Sequence, residues 1–243
     1  MCLLNKDKLS ARLAAVAKYV PQGSRVADIG SDHAYLPIYL AKNSGIPFAI
    51  AGEVAAGPFH SAEQNVLAEG LSGVISVRMG DGLEVIKPNE VNCITIAGMG
   101  GTLIASILEK GKEKLGSVTR LILQPNIGAN SIRKWLLNNS WVLLAEEILE
   151  EDGKIYEILV AEHDGEPLKP YESNLEAGLL FGPYLAPEQN EVFKKKWLGE
   201  KRNWQRIYQQ LEQAAPTPEV LEKKQELLHK IQLAEEVIGN ENT

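Results

Sequence analysis

Over the first two thirds of the chain, short apolar runs alternate with stretches whose apolar positions recur at helical spacing. The runs SRVADIG (24–30), FAIAGEV (48–54), ISVRMG (75–80), CITIAG (93–98) and RLILQPN (120–126) are mostly apolar and rich in Val and Ile. Such runs suit strands buried on both faces, and residues 58–71 and 102–115 between them have the periodicity of crossover helices. The pattern predicts βαβ units and a parallel sheet. Residues 82–88 are too few for a full crossover helix, so that connection is expected to be truncated. A further helix is expected over 130–139. Beyond it, WVLLAEEILEE and KIYEILVAEH flank Asp152-Gly153, a dipeptide suited to a two-residue hairpin turn. An antiparallel hairpin closing a parallel sheet makes a mixed, seven-stranded α/β layout.

A polar stretch at 164–170 then marks a boundary, dividing the chain into residues 1–165 and 166–243. In the second part Trp197, Trp204 and Leu211 stand seven apart, with Phe193, Ile207 and Tyr208 filling the same face. Val220, Leu227, Ile231, Ala234 and Ile238 repeat at steps of three, four or their sum, and AAPTP separates the two sets. This spacing predicts a C-terminal antiparallel helical hairpin of coiled-coil type. A hairpin that merely packs back on the sheet is the other reading of the same pattern.

Composition narrows the class. With 243 residues, 44% hydrophobic and 23% charged, the chain suits one α/β domain with an appendage and a real core. No apolar run reaches the roughly 18–20 residues that span a bilayer, and the N-terminal residues lack a signal-peptide pattern. Cys2 and Cys93 cannot build a disulfide framework, and with the four histidines they lack metal-ligand spacing. A cytosolic protein without metal or membrane attachment is expected. The net charge of −7 argues against a generic nucleic-acid binder but leaves room for a local basic patch.

The chemistry lies at the strand ends, where open parallel sheets bind ligands. The first strand runs into Asp28, Gly30 and Ser31, as a dinucleotide fingerprint would, but Asp32 stands where the next glycine is expected. A pyrophosphate about 4 Å from Asp32 would be repelled by roughly 4 kcal/mol at an effective dielectric near 20. S-adenosylmethionine, with cationic amino and sulfonium groups and no phosphate, fits better. Capping of a helix beginning near Ala34 by Ser31 or Asp32 is the purely structural alternative. Glu53 ends the second strand and could accept hydrogen bonds from a ribose diol. In GDG (80–82), Asp81 could meet an exocyclic amine, or the segment could be an ordinary Asp-Gly turn. AGMGG (97–101) bares the backbone for a flat ligand, or is a tight turn into a helix capped by Thr102. QPN brings Asn126 to the end of the fifth strand.

Together LSARLAAVAKYVP, ADIGSDHAYLP, AIAGEV, RMGDGLEVI, ITIAGMGG, RLILQPN and ILEEDGKIYEILVAE resemble the bacterial TrmK family over nearly the whole chain. The resemblance implies a class I, Rossmann-like methyltransferase domain that uses S-adenosylmethionine to methylate N1 of adenine 22 in tRNA. It also implies a coiled-coil appendage that helps to hold the tRNA. The cofactor is then expected against Asp28, Gly30, Ser31, His33, Glu53, Val54, Gly80, Asp81, Gly82, Ala97, Gly98 and Met99. Asp32 is the candidate to stabilise the cationic product ring or to accept a proton, with Asn126 and His33 orienting. Between Lys194 and Arg206 six cationic residues stand against Glu200 alone, so Lys195, Lys196, Lys201 and Arg202 are candidate phosphate contacts. A monomer is the expected form. The competing readings are a methyltransferase for another RNA or a small molecule, and a non-enzymatic nucleotide-binding module.

Overall fold

The computed structural model describes residues 9–163 and 165–239; Cys2 and Asp164 lie outside these. Strands β1 (Arg25–Ile29), β2 (Phe48–Glu53), β3 (Ile75–Met79), β4 (Cys93–Gly100), β5 (Arg120–Ile127), β6 (Val142–Glu151) and β7 (Lys154–Glu162) form one sheet. Their order is β3-β2-β1-β4-β5-β7-β6. The first five are parallel, whereas β7 runs antiparallel to both β5 and β6. Their continuous apolarity is explained by burial: Val26, Ala27, Ile50, Ile94 and Ile122 are wholly inaccessible. The hairpin turn follows the sequence reading, with Asp152 at φ 51° and Gly153 at φ 72°.

Helices α1 (Ala11–Lys18), α2 (Tyr35–Asn43), α3 (Ala56–Ala68), α4 (Gly101–Lys110) and α5 (Ala129–Asn138) accompany the sheet. The helix expected over 102–115 is shorter. It stops at Gly111, where an added Cβ would lie 2.5 Å from Leu83, and the chain continues as a 3-10 turn. Thr102 does not cap it: Gly100 holds that position, and the Thr102 hydroxyl lies 3.3 Å from that of Ser131. The truncated connection after β3 is a single 3-10 turn, Gly82–Val85.

Two ion-pair networks set the edges of this domain. Arg133 of α5 is completely buried, with Nε 2.6 Å from Glu146 Oε1 and Nη2 2.5 Å from Glu157 Oε2, which fixes the hairpin to the helix. Arg78, at the end of β3, makes a two-pronged contact with Glu90 at 2.6 Å and also donates to the Val85 carbonyl.

The residues from Tyr171 onward form a second compact unit, the first ending at Pro170. Its long helices, α8 (Glu191–Glu212) and α9 (Pro218–Ile238), are preceded by the short α6 (Leu175–Phe181) and α7 (Leu185–Glu188), which the periodicity did not predict. Asn190 and Thr217 cap the long pair. They run antiparallel: Lys224 lies over Tyr208 near the turn, and Gln189 Nε2 reaches the Val237 carbonyl at the far end. Phe193 and Trp197 are buried with Phe181 of α6, whereas Trp204 and Leu211 are only half-buried. The heptad spacing therefore marks an aromatic core shared with α6 at one end, rather than a uniform two-helix seam.

The Arg78–Glu90 pair yields a pH prediction. Hydrogen bonds from Arg78 lower the Glu90 carboxyl from 4.5 to about 2. A depressed carboxyl stabilises the fold fully above its unfolded value, and this contribution fades as pH falls from there through about 2. Glu90→Gln is expected to lose about 1.5–3 kcal/mol of stability at pH 7. In urea titrations at descending pH the gap to the parent should close below about pH 4.5. A gap independent of pH would exclude the pair as its origin.

Candidate functional site

Strand order reverses between β1 and β4, which are neighbours in the sheet but not in the chain. That is where an open α/β sheet leaves a crevice beyond its carboxyl ends. A cavity of about 410 Å³ lies there.

On the β1 side, Gly30 adopts φ 68°, and its amide and that of Ser31 donate to the Gly52 carbonyl. That left-handed backbone favours glycine, and an added Cβ would also stand 2.3 Å from the Met99 methyl, which would have to move. Asp28 is buried and spoken for: Thr95 donates to Oδ1 at 2.6 Å and Ser31 to Oδ2 at 2.7 Å. Burial pushes its carboxyl above the usual range, against the pull of these hydroxyls. Ser31 thus supports Asp28, and no side chain caps α2.

Next come three consecutive left-handed residues, none of them glycine: Asp32 (φ 47°), His33 (φ 71°) and Ala34 (φ 61°). Each such residue costs roughly 1–2 kcal/mol, less for Asp. The segment is held from below. The Glu53 carboxylate, buried at the end of β2, faces the backbone amides of His33 and Asp32, and Asn65 donates to the His33 carbonyl at 3.0 Å. Burial raises the Glu53 carboxyl, while the two amides oppose that rise. Its Oε1 is buried without a hydrogen-bond partner. The Asp32 side chain points the other way, 83% exposed at the cavity, 3.4 Å from His33 Nε2.

On the β4 side, Gly98 (φ 80°) interrupts the β4–β5 register. Side chains from β5 satisfy its displaced peptide: Gly98 N donates to Gln124 Oε1 at 3.0 Å, and Asn126 Nδ2 donates to Gly98 O at 2.7 Å. The bulge turns Met99 towards Gly30 and fixes the Asn126 amide with its oxygen available. The buried Gln124 also accepts from Arg12 Nη1 at 2.6 Å. Arg12 stands beside the Tyr156 ring, and Glu151 accepts from the Ala11 and Arg12 amides at the start of α1.

The cavity therefore brings together Asp28, Gly30, Ser31, Asp32, Ala97, Gly98, Met99 and Asn126 of the sequence candidates. His33, Glu53, Val54, Gly80, Asp81 and Gly82 are not part of its lining. Glu53 underlies the turn of which His33 is the middle residue, and Val54 is 71% exposed. Asp81 accompanies Glu84 at the start of the 3-10 turn and lies 3.8 Å from Lys110. Arg12, Tyr35 and Tyr156 line the cavity without having been singled out from sequence. An arginine inside the apolar periodicity of α1 was the available signal for the first.

In the second unit, Lys195 and Arg202 are exposed on α8, and Lys196 lies over Trp197. Lys201 departs from the expectation. It is buried and stands 3.8 Å from Glu235, so it belongs to the packing of α8 on α9 and not to an accessible basic face. Among the described residues no cluster of His, Cys, Asp or Glu could hold a metal, and no helix is long and apolar enough to cross a membrane.

Comparison with known proteins adds a family. Residues 26–236 match the TrmK family model, described as tRNA (adenine(22)-N(1))-methyltransferase. The tRNA (adenine(22)-N(1))-methyltransferase of Bacillus subtilis is 55% identical over 98% of this chain and its own full length. Its crystal structure superposes with a TM-score of 0.92, covering 96% of this chain and 99% of that one. A Streptococcus pneumoniae structure in complex with S-adenosyl-L-methionine is 45% identical, with a TM-score of 0.79 over 95% of this chain and all of that one. Mycoplasma capricolum TrmK, solved with S-adenosyl-homocysteine, is 28% identical, with a TM-score of 0.80 over 95% and 97% of the two chains.

The left-handed turn predicts a separation of stability from chemistry at position 32. Asp32→Gly should leave stability unchanged or raise it by up to about 1 kcal/mol, because glycine relieves the backbone conformation. Asp32→Val should lower it by about 1–2 kcal/mol. Urea unfolding of the two variants checks this, and a clear loss in the glycine variant would mean that the carboxylate itself holds the turn.

Proposed function

This chain belongs to the TrmK family of tRNA (adenine(22)-N(1))-methyltransferases, and from that premise we propose that it methylates N1 of adenine 22 in tRNA with S-adenosylmethionine. The observation that carries the cofactor assignment is the Glu53 Oε1 atom, buried without a partner at the end of β2. A ribose hydroxyl reaching it would supply the missing hydrogen bond. S-adenosylmethionine, when bound, supplies an electrophilic sulfonium methyl. The chain's own residues bind, orient and stabilise charge.

Asp28 and Asp32 give the cavity a negative character that suits a cationic sulfonium and disfavours a pyrophosphate. Adenine N1 already carries a lone pair, so the protein mainly has to align it and exclude water. The ring becomes cationic on methylation, and the exposed Asp32 carboxylate is our candidate to stabilise that charge. Asn126, its amide nitrogen fixed on Gly98 O, is free to accept from the exocyclic amine through its oxygen. Gly30, Ala97, Gly98 and Met99 make the bare wall against which flat rings can lie. Glu53, Val54 and the Gly80–Asp81–Gly82 turn are read as the nucleoside end of the cofactor site. The target base has to leave its stack to reach N1, which costs a few kcal/mol. Phosphate contacts are assigned to Lys195, Lys196 and Arg202 of α8, and we read the enzyme as a cytoplasmic monomer.

The test is incubation with S-adenosylmethionine and unmodified tRNA, followed by mapping of the modified nucleotide. A single N1-methyladenine at position 22 is expected, and modification elsewhere would overturn the assignment. Asp32→Asn is expected to slow single-turnover methylation at saturating cofactor about tenfold or more, with a smaller effect on cofactor affinity. Unchanged turnover would leave Asp32 without a chemical role. Changing Lys195, Lys196 and Arg202 together to Glu should weaken tRNA binding and flatten its salt dependence by about one unit of slope per lost phosphate contact. Cofactor affinity should stay as it was. An unaltered slope in filter-binding titrations would remove α8 from the tRNA interface.

A further inference from the structure

We propose that Ile127, at the carboxyl end of β5, is the wedge that takes the place of the target adenine in the tRNA stack while the base is turned out. The inference rests on the function proposed above and adds to it the residue that extrudes the base.

A base that leaves its stack uncovers the faces of its neighbours, and an apolar side chain inserted between them offsets part of that loss. Such a side chain has to be exposed, to stand beside the pocket rather than in it, and to be carried on fixed backbone. Ile127 meets all three conditions. At 76% exposure it is the most exposed large hydrophobic side chain among the described residues. It directly follows Asn126, which lines the cavity, but is not itself part of the lining. The backbone is anchored on either side of it. Asn126 Nδ2 donates to Gly98 O at 2.7 Å, and Gly128 (φ 75°) lies so close to the start of α4 that a Cβ at Gly101 would stand 2.0 Å from the Gly128 carbonyl oxygen. The β-branched side chain is itself stiff at χ1, so little freedom is lost when it enters a stack. Its surroundings suit bases better than phosphates. No charged residue occurs between Glu90 and Glu109 or between Arg120 and Arg133, the stretches that include β4, β5 and the turns into α4 and α5. Gly98, Thr102, Leu103, Asn126, Ile127 and Gly128, all exposed at this edge, are therefore neutral. A neutral rim can close on stacked bases without setting a carboxylate against the flanking phosphates.

The test compares two substrates that differ in the cost of extrusion: unmodified tRNA, and the same tRNA altered so that adenine 22 has no pairing partner. Ile127→Ala is expected to slow single-turnover methylation of the first about tenfold or more, and of the second within about threefold of wild type, because an unpaired base leaves its stack more cheaply. Ile127→Met, which keeps an apolar side chain of similar reach, should restore most of the rate. Leu67→Ala serves as the control; Leu67 is 71% exposed near the end of α3, and its loss should change neither rate. A spectroscopic arm uses tRNA with 2-aminopurine at position 22, which brightens on leaving its stack. Wild type should raise the fluorescence on binding, and Ile127→Ala should bind with similar affinity but raise it much less. An equal loss of rate on both substrates would make Ile127 a support of the site and overturn the proposal. So would wild-type rate and brightening in the Ala variant. Dissociation of a wild-type dimer by Ile127→Ala in sedimentation would reassign the residue to a contact between copies, with the same consequence. Failure of the wild type to methylate either tRNA at adenine 22 is a different result, and would overturn the proposed function itself.

Discussion

A carboxylate buried at the end of β2 sets the form of the site. Glu53 sits close to two acids, Asp28 and Asp32, whose charges work against its own ionisation. Burying such a group without compensation would cost several kcal/mol. The amides of Asp32 and His33 offset part of that cost, leaving Oε1 without a partner, and aiming successive amides at one carboxylate accompanies three left-handed residues in a row. The strain of the turn and the burial of the acid are thus held against each other. Three consequences follow along the chain. Ala34 is driven into the core, α2 begins without a side-chain cap, and the Asp32 carboxylate is thrown out to the cavity.

The opposite wall solves a related problem with neutral groups. The bulge at Gly98 breaks the β4–β5 ladder and would leave its N–H and C=O without partners. Gln124 and Asn126, two residues apart on β5 and therefore on one face of the strand, take one group each. Gln124 then passes its order on to Arg12, and the hairpin completes the wall by holding the start of α1 through Glu151. The buried Arg133 ties that hairpin to α5, and one of its partners, Glu157, is the residue next to Tyr156. Removing Arg133 would strand two buried carboxylates, and this makes the hairpin's placement rigid rather than incidental.

What could be read from the sequence divides along physical lines. The strands were legible because burial on both faces demands uninterrupted apolar residues, and the hairpin because Asp152-Gly153 suits its backbone. Asp32 was legible only as an unexpected charge; that it replaces glycine in a conformation suited to glycine depends on Glu53, twenty-one residues away. Arg12 was invisible as a site residue because its meaning lies in Gln124 and Tyr156, which only the sheet brings near. The basic run on α8 misled at one position for a geometric reason. Counting charges along a helix ignores its faces, and Lys201, four residues after the buried Trp197, falls on the packed side with Glu235. The short α6 and α7 escaped because periodicity needs more length than they have.

The distribution of charge bears on how an acidic chain can act on an anionic substrate. With a net charge of −7 and Asp32 exposed at the cavity, the neighbourhood of the chemistry repels phosphate. Adenine, however, is neutral on arrival and becomes cationic only when N1 is methylated. A negative cavity is therefore indifferent to the substrate base, favours the transition towards product, and discourages the sugar-phosphate chain from following the base inward. Attraction for the backbone then has to come from charges more than a Debye length, about 8 Å in physiological salt, from the acids that would cancel it. Grip and chemistry thus make opposite electrostatic demands. In the reading proposed above, the grip falls to Lys195 and Arg202 of α8 and the chemistry to the cavity.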